Sequence, residues 1–554
     1  MGKTREKGRA DDHLIISGSG LSLVLLAALS IILMGACTVH AAPITIPDLS
    51  QCHPAVASSV APAPPLTLTF NCCLPYASKP ILDFSFKKYK PTEKRIRRPC
   101  HTANEKYIAK YNRAYALMRA LPDSDPRSLK AQADVHCSFC NGGYNQAGVS
   151  GDIPLQVHFS WLFLPWHRWY LYFHERILGE LIGEPGFSLC FWNWDNQING
   201  GNVMPAMFAR NNTAIYDPKR NVAIQPPALV PLSPATVSNN SAVVVNENLN
   251  NMYQSVVTAS TATLFMGGAY RLGTDLTNAT VVNAPLGGGL ENGVHNGIHY
   301  YTGDRRQQLL QDMGTFTTAS RDPIFYAHHS NVDRLWDIWR FKMPDGERFD
   351  HTDPDFLNAE FVFYDENADL VKVKVSDALD NKKLSISYKS VGKSDKVWIN
   401  YSPNATTNGS AVPAAMASGV PFVGPAPLNG TITLGTNFSA IVKRPTGKKH
   451  SKTLEVLNIE GVQVVRDQFV ALLAFVNLQN VSSTTRTSSA EYLGTFNIVP
   501  SAGKARHLLT TVKFEIGDNL KRIGIQNEAE VVISLLLKAS NETVTIQGLK
   551  IDYE

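Results

Sequence analysis

Residues 155–181 read LQVHFSWLFLPWHRWYLYFHERILGEL. From Trp161 onward the stretch is apolar nearly all round, which predicts a buried helix entered at Pro165, a residue suited to the first helical turn. His158 and His167 flank its aromatic residues, which would wall off a dry pocket. Working outward, helical spacing recurs over Asn104–Leu121, Glu291–Tyr300 and Asp322–Trp339, so the middle of the chain is expected to be mainly helical. Between Pro43 and Pro91 there is little periodicity, and a loop pinned by cysteines is expected to wrap the core. Near residue 360 the pattern changes. FVFYDENADLVKVKVSDAL and LSISYKSV alternate like strands, Ser402–Gly430 has linker composition, and TITLGTNFSAIV, GVQVVRDQFVALLAFVNL, TVKFEIG and EVVISLLL predict a small β-sandwich.

The N-terminus carries Lys3, Arg5, Lys7 and Arg9, then a largely apolar stretch from Leu14 to Ala36, then small residues at Val39, Ala41 and Ala42. That order is expected of a signal peptide or of a retained signal anchor. Asp11 and Asp12 count against a plastid transit peptide. Asn-x-Ser/Thr sequons such as Asn211, Asn404 and Asn480, and the early cluster Cys52, Cys72, Cys73, Cys137 and Cys140, fit an oxidising compartment. The expectation is the secretory route, to vacuole or cell exterior, with the thylakoid lumen as the weaker alternative. A net charge of only +5, with no basic stripe interleaved with aromatics, argues against a nucleic-acid partner.

The chemistry lies in two groups of histidines. His136 opens HCSFC, and His158 and His167 follow in the stretch quoted above. His295 and His299 lie in ENGVHNGIHYY, and His328 and His329 in FYAHHSNVDRLW. His295 and His299 stand at i and i+4 and share one helix face, as do His329 and Asp333, which suits Asp333 to support the histidine or the turn. A catalytic zinc site would usually bring a carboxylate or thiolate ligand, or HExxH, and an Fe(II) facial triad needs a carboxylate. Six imidazoles with open positions point instead to a dinuclear, O2-binding copper pair.

The segments HCSFCNGGY, LQVHFSWLFLPWHRWYLYFHERIL, FWNWD, NGVHNGIHYYTGD and RDPIFYAHHSNVDRLWDIW closely resemble the plant polyphenol oxidases, the type 3 copper family of catechol oxidases and tyrosinases. The resemblance covers nearly the whole chain after the N-terminal stretch. Asp355-Phe356-Leu357 and Lys513-Phe514-Glu515 stand where the family often has Asp-Trp-Leu and Lys-Phe-Asp. The resemblance implies an α+β fold: a mainly helical core whose four-helix bundle holds two copper ions, then a C-terminal β-sandwich that shields it. The expected divisions are 1–42 for targeting, 43–390 for the dicopper domain, 391–432 for a linker with a processing region, and 433–554 for the sandwich.

By position, the resemblance implies that His136, His158 and His167 hold the first copper and His295, His299 and His329 the second, with His328 packed beside the site. It implies a thioether from Cys140 to His158 and disulfides Cys52–Cys73 and Cys72–Cys137, leaving Cys100 and Cys190 as buried thiols. Glu291 would hold a water near the second copper, Asn296 would assist proton removal from monophenols, and Phe316 would be the aromatic gate. Tyr300 would narrow the entrance, whereas His174 and His351 are not expected to bind metal. The implied reaction is O2-dependent oxidation of o-diphenols to o-quinones, extending to ortho-hydroxylation of monophenols, with an activating protease as partner. The alternatives are a biosynthetic oxidase for one specialised phenolic of aurone or lignan type, and a reversible O2 carrier of haemocyanin type.

Overall fold

Asn104 accepts a hydrogen bond from the Tyr107 amide (3.0 Å) and starts helix α1 (Glu105–Ala120). Ser128 does the same for Ala131 (3.1 Å) at the head of α2 (Leu129–Cys140). The quoted stretch forms α3 (Phe163–Leu181), with Pro165 in its first turn and Trp166, Trp169 and Tyr170 fully buried. Withdrawing each such aromatic from water contributes about 2–3 kcal/mol, so α3 is the natural centre of the helical core. It packs against α1 and against α5 (Ile324–Phe341), while α4 (Asn296–Thr302) follows a wide π-type turn over Glu291–His295. The computed structural model describes residue 2 and residues 42–554, leaving out 60–65, 77–78, 90–92, 237, 277–285, 404–421, 424–431, 435–436, 448–452, 503–506 and 541. The expected targeting segment therefore lies almost wholly outside the described residues.

Short strands brace the helices. β1 (Arg95–Pro99) pairs in parallel with β2 (Cys190–Phe191) and with β3 (Ile386–Tyr388). Glu360–Tyr364 and Leu370–Lys374 are strands, as their alternation predicts, and they pair as an antiparallel hairpin. Part of the segment expected to be loop is also a hairpin, Ala55–Ser59 with Leu66–Phe70. Cys52 is bonded to Cys73 and Cys72 to Cys137, with Cα–Cα distances of 5.6 and 5.3 Å. The expectation of free thiols at Cys100 and Cys190 is corrected. Parallel pairing of β1 with β2 sets their Cα atoms 5.0 Å apart, and they form a third disulfide.

The C-terminal part is a two-sheet sandwich. One sheet runs β5 (Ile432–Leu434), β12 (Val544–Ile546), β7 (Glu455–Val465), β10 (His507–Glu515), with β13 (Gly548–Tyr553) also on β7. The other runs β9 (Tyr492–Ile498), β8 (Val470–Val476), β11 (Glu530–Ala539), β6 (Asn437–Lys443), β4 (Phe422–Val423). Two stretches inside the expected 391–432 linker are structured. Phe422–Val423 adds the parallel edge strand β4. Residues 393–400 form a 3-10 turn anchored by Trp398, whose indole N–H reaches Asp195 (3.0 Å), and by an Asp395–Arg334 ion pair (2.6 Å).

Candidate metal centre

Four helices and one irregular segment bring the histidines together. His136 lies near the end of α2, His167 in α3, His299 in α4 and His329 in α5, while His295 closes the π-type turn. Glycine makes the close approach of this turn and of α4 possible: a Cβ at Gly293 in the turn would collide with Ser255 Oγ, and one at Gly297 in α4 with the Leu232 carbonyl. His158 precedes α3 and is held by Gln156, whose Oε1 accepts from the amides of Val157 (2.9 Å) and His158 (3.0 Å) and whose Nε2 donates to the Cys140 carbonyl (2.7 Å). The next residue, Phe159, sits at φ 58°, an uncommon left-handed conformation for a bulky side chain. Its amide donates to Glu291 Oε1 (2.8 Å), which ties the two histidine-bearing loops together.

The rings form two triads. His136, His158 and His167 have centroids 5.2–5.6 Å apart, and His295, His299 and His329 have centroids 4.7–5.6 Å apart. The triads meet where His167 and His329 stack at 4.2 Å. All six rings are buried, and burial pulls their pKa down, His167 to about 3 and His299 to about 4, so the rings are neutral, the form that binds metal. Nδ1–H donates to a backbone carbonyl in His136 (Phe316, 2.8 Å), His167 (Phe163, 2.8 Å), His299 (Met313, 2.6 Å) and, more loosely, His295 (Glu291, 3.3 Å). That tautomer leaves a lone pair on Nε2. In all six rings Nε2 is buried without a hydrogen-bond partner. Each such orphaned atom costs about 1–3 kcal/mol, and metal ions between the triads would satisfy all six. The donor set therefore fits a copper pair.

His328 differs. Its Nδ1 faces the indole N–H of Trp194 at 3.1 Å. An indole only donates, so His328 Nδ1 must accept and the proton of the neutral ring sits on Nε2. That atom then offers no lone pair to a metal, although it is as buried as the others.

Around the triads, Glu291 is buried with Oε2 unpaired, and burial lifts its pKa well above the usual carboxylate range while the Phe159 amide opposes the lift. Asn296 donates to the Asn497 carbonyl (2.7 Å) and leaves its own Oδ1 unpaired. Phe316 stacks on His158 at 4.0 Å and 13°, and its amide donates to the Pro500 carbonyl (3.1 Å). Asp333 does not reach His329. It accepts from Arg168 (2.6 Å), Arg97 (2.9 Å) and the Tyr388 hydroxyl, and Arg97 also pairs with Glu175, so Asp333 clamps α5 to α3 and β1. Tyr300 turns to the sandwich and stacks on Phe469 at 4.0 Å. His174 is satisfied by Tyr115 and Gln132, and His351 bonds the Gly267 carbonyl.

Residues 126–342 match the model of the common central domain of tyrosinase, residues 350–404 that of the polyphenol oxidase middle domain, and residues 430–553 that of the chloroplastic polyphenol oxidase C-terminal domain. The chain is 40% identical to a chloroplastic polyphenol oxidase of Malus domestica over 533 residues, covering 93% of this chain and 85% of that one. The chain belongs to the plant polyphenol oxidases. A chloroplastic polyphenol oxidase latent form of Prunus armeniaca is likewise 40% identical, over 92% of this polyphenol oxidase and 83% of that protein. The solved structure of a latent aurone synthase (polyphenol oxidase) from natural source superposes with a TM-score of 0.82 at 35% identity, covering 92% of this chain and 99% of that one. The enzyme is thus an α+β polyphenol oxidase with a dinuclear copper centre.

The relatives correct the expected destination of this polyphenol oxidase. Both Malus and Prunus proteins are named chloroplastic, against a vacuolar or extracellular route. The expectation rested on an apolar run followed by small residues, and hydropathy alone does not specify a destination. Cys140 is buried and unbonded, and its sulfur lies within 4.8 Å of ring nitrogens of His136 and His158. Burial, then Glu291, pushes its thiol pKa up. Several residues that set the centre were not singled out from the sequence. Trp194 stood in the quoted FWNWD but carried no periodic signal, Gln156 holds its neighbour His158 through a local turn that periodicity does not mark, and Arg97 and Asn497 act across separations visible only in the fold.

Proposed function

We propose that this polyphenol oxidase oxidises o-diphenols to o-quinones with O2, with copper held by His136, His158 and His167 on one side and His295, His299 and His329 on the other. The observation that carries this reading is the six buried, unpaired Nε2 atoms on rings gathered into two adjoining triads. When bound, the copper pair supplies O2 binding and two-electron oxidation. The chain's own residues orient the rings through backbone carbonyls, exclude water with Phe316 and Phe163, and restrain His158, which Cys140 would tether as a thioether. The unpaired Glu291 Oε2 and Asn296 Oδ1 suit a water between them that takes the phenolic proton, which extends the reading to monophenol hydroxylation. A nearby dication would offset the effect of burial on Glu291.

The sandwich acts as a shield, and cleavage between residues 401 and 432 releases it. Its contacts with the centre support this: Pro500 accepts from Phe316 and Thr315, and Asn497 from Asn296. A plastid destination follows from the relatives' names. The similarity to a latent aurone synthase supports a second reading, a biosynthetic oxidase for one specialised phenolic. The test is oxidation of 4-methylcatechol, tyramine and a chalcone by the copper-loaded enzyme before and after cleavage. Catechol oxidation that rises on cleavage supports the first reading. A preference for the chalcone supports the second, and rates unchanged by cleavage sink the shield.

A further inference from the structure

Away from the histidines, a cavity of about 100 Å³ opens at the seam between the helical part and the sandwich. Its walls are mostly apolar, with Val56, Leu155 and Phe159 on the helical side and Leu508 on the sandwich side. None of the centre's histidines lines it. One guanidinium does, that of Arg466, which is only 8% exposed. Its Nε donates to Ser501 Oγ (3.3 Å) and its Nη2 to the Ala502 carbonyl (3.0 Å). Both partners are neutral, and among the described residues no carboxylate lines the cavity. Burial alone pulls the arginine down to about 10, so it remains a cation at neutral pH.

A buried cation whose partners among the described residues are neutral is costly to keep, and a counter-charge delivered beside it is correspondingly favoured. The surrounding surface would receive a hydrocarbon body more readily than a hydrated inorganic ion. We propose that this cavity is a binding site for a small organic monocarboxylate, which pairs with Arg466 and packs its apolar body on Leu155, Phe159 and Leu508.

The walls come from both halves of the molecule, so a ligand that fills the cavity stabilises their docking. The link to the centre is short. Asn141, which also lines the cavity, accepts from the Ala502 amide (3.0 Å), and Gln156 holds the His158 backbone. The site thus favours the closed form, and it requires no assumption about the reaction at the copper pair.

The experiment uses the copper-loaded full chain with butyrate, its uncharged analogue butyramide, and the variants Arg466→Gln and Arg466→Lys. Calorimetric titration is expected to show butyrate binding at millimolar concentration or tighter, about tenfold or more weakened in R466Q. R466K, which keeps the charge, is expected to retain part of the affinity. Saturating butyrate is expected to raise the wild-type Tm and slow tryptic release of the sandwich, while butyramide does neither. Equal binding of butyrate and butyramide, butyrate binding undiminished in R466Q, or no detectable binding to the wild type would each overturn the proposal. The comparison within the wild type stands even if R466Q fails to fold.

Discussion

Trp194 donates its indole N–H to Nδ1 of His328 at 3.1 Å, and this one hydrogen bond separates two adjacent histidines that are otherwise equally buried. His329, one residue on, has neither ring nitrogen engaged. His329→Ala is expected to lose one copper and nearly all catechol oxidation. His328→Ala is expected to keep both coppers and to lose activity by no more than about 10–100-fold, the range for outer partners of a metal site. Metal analysis of the purified variants decides it, and a copper lost from H328A would reverse the assignment.

Phe469 stacks on Tyr300, the neighbour of His299, across the seam. Such a pair is worth about 0.5–1.5 kcal/mol beyond its buried area. Phe469→Ala is therefore expected to raise the catechol oxidation of the uncleaved enzyme severalfold and to leave the cleaved enzyme unchanged. An uncleaved variant as inactive as its parent would show that the stack does not hold the shield.

Cys140 is the one free thiol among the described residues, buried beside His158. Peptide mapping of the copper-loaded protein is expected to yield the Cys140 and His158 peptides as one cross-linked species. Cys140→Ser should give them separately. Finding the two peptides separate in the wild type would eliminate the thioether.

Asp333 holds Arg97 and Arg168 in a buried ionic network. Replacing it with Asn leaves Arg97 with Glu175 but strips the carboxylate from Arg168, and breaking a buried pair costs about 3–5 kcal/mol. Asp333→Asn is expected to lower the unfolding midpoint strongly while the folded fraction retains its copper. Copper loss without destabilisation would return Asp333 to the support of His329.

What was legible in the sequence is what repeats locally. The i,i+4 spacing of His295 and His299, the apolar circumference of α3 and the alternation of the 360–374 hairpin follow from backbone geometry within a few residues, and each recurs in the fold. What was not legible depends on distant segments. The partners of Asp333 come from residues 97, 168 and 388, so its helical relation to His329 misleads. Cys100 and Cys190 meet only because β1 and β2 pair. The tautomer of His328 depends on an indole 134 residues away. The destination was misread because an apolar N-terminal run was taken for an address.

The two asparagines at the seam exchange more than a single contact. Asn296 donates to the Asn497 carbonyl, and Asn497 donates back to the Gly293 carbonyl at 2.9 Å, inside the turn that carries His295. The sandwich is thus fastened to the backbone of the turn that carries His295. By reciprocity, whatever factor copper binding imposes on the grip of the sandwich, the sandwich imposes on the retention of copper. The quantity that would reveal such a coupling is the copper affinity of the intact chain set against that of a chain without the sandwich.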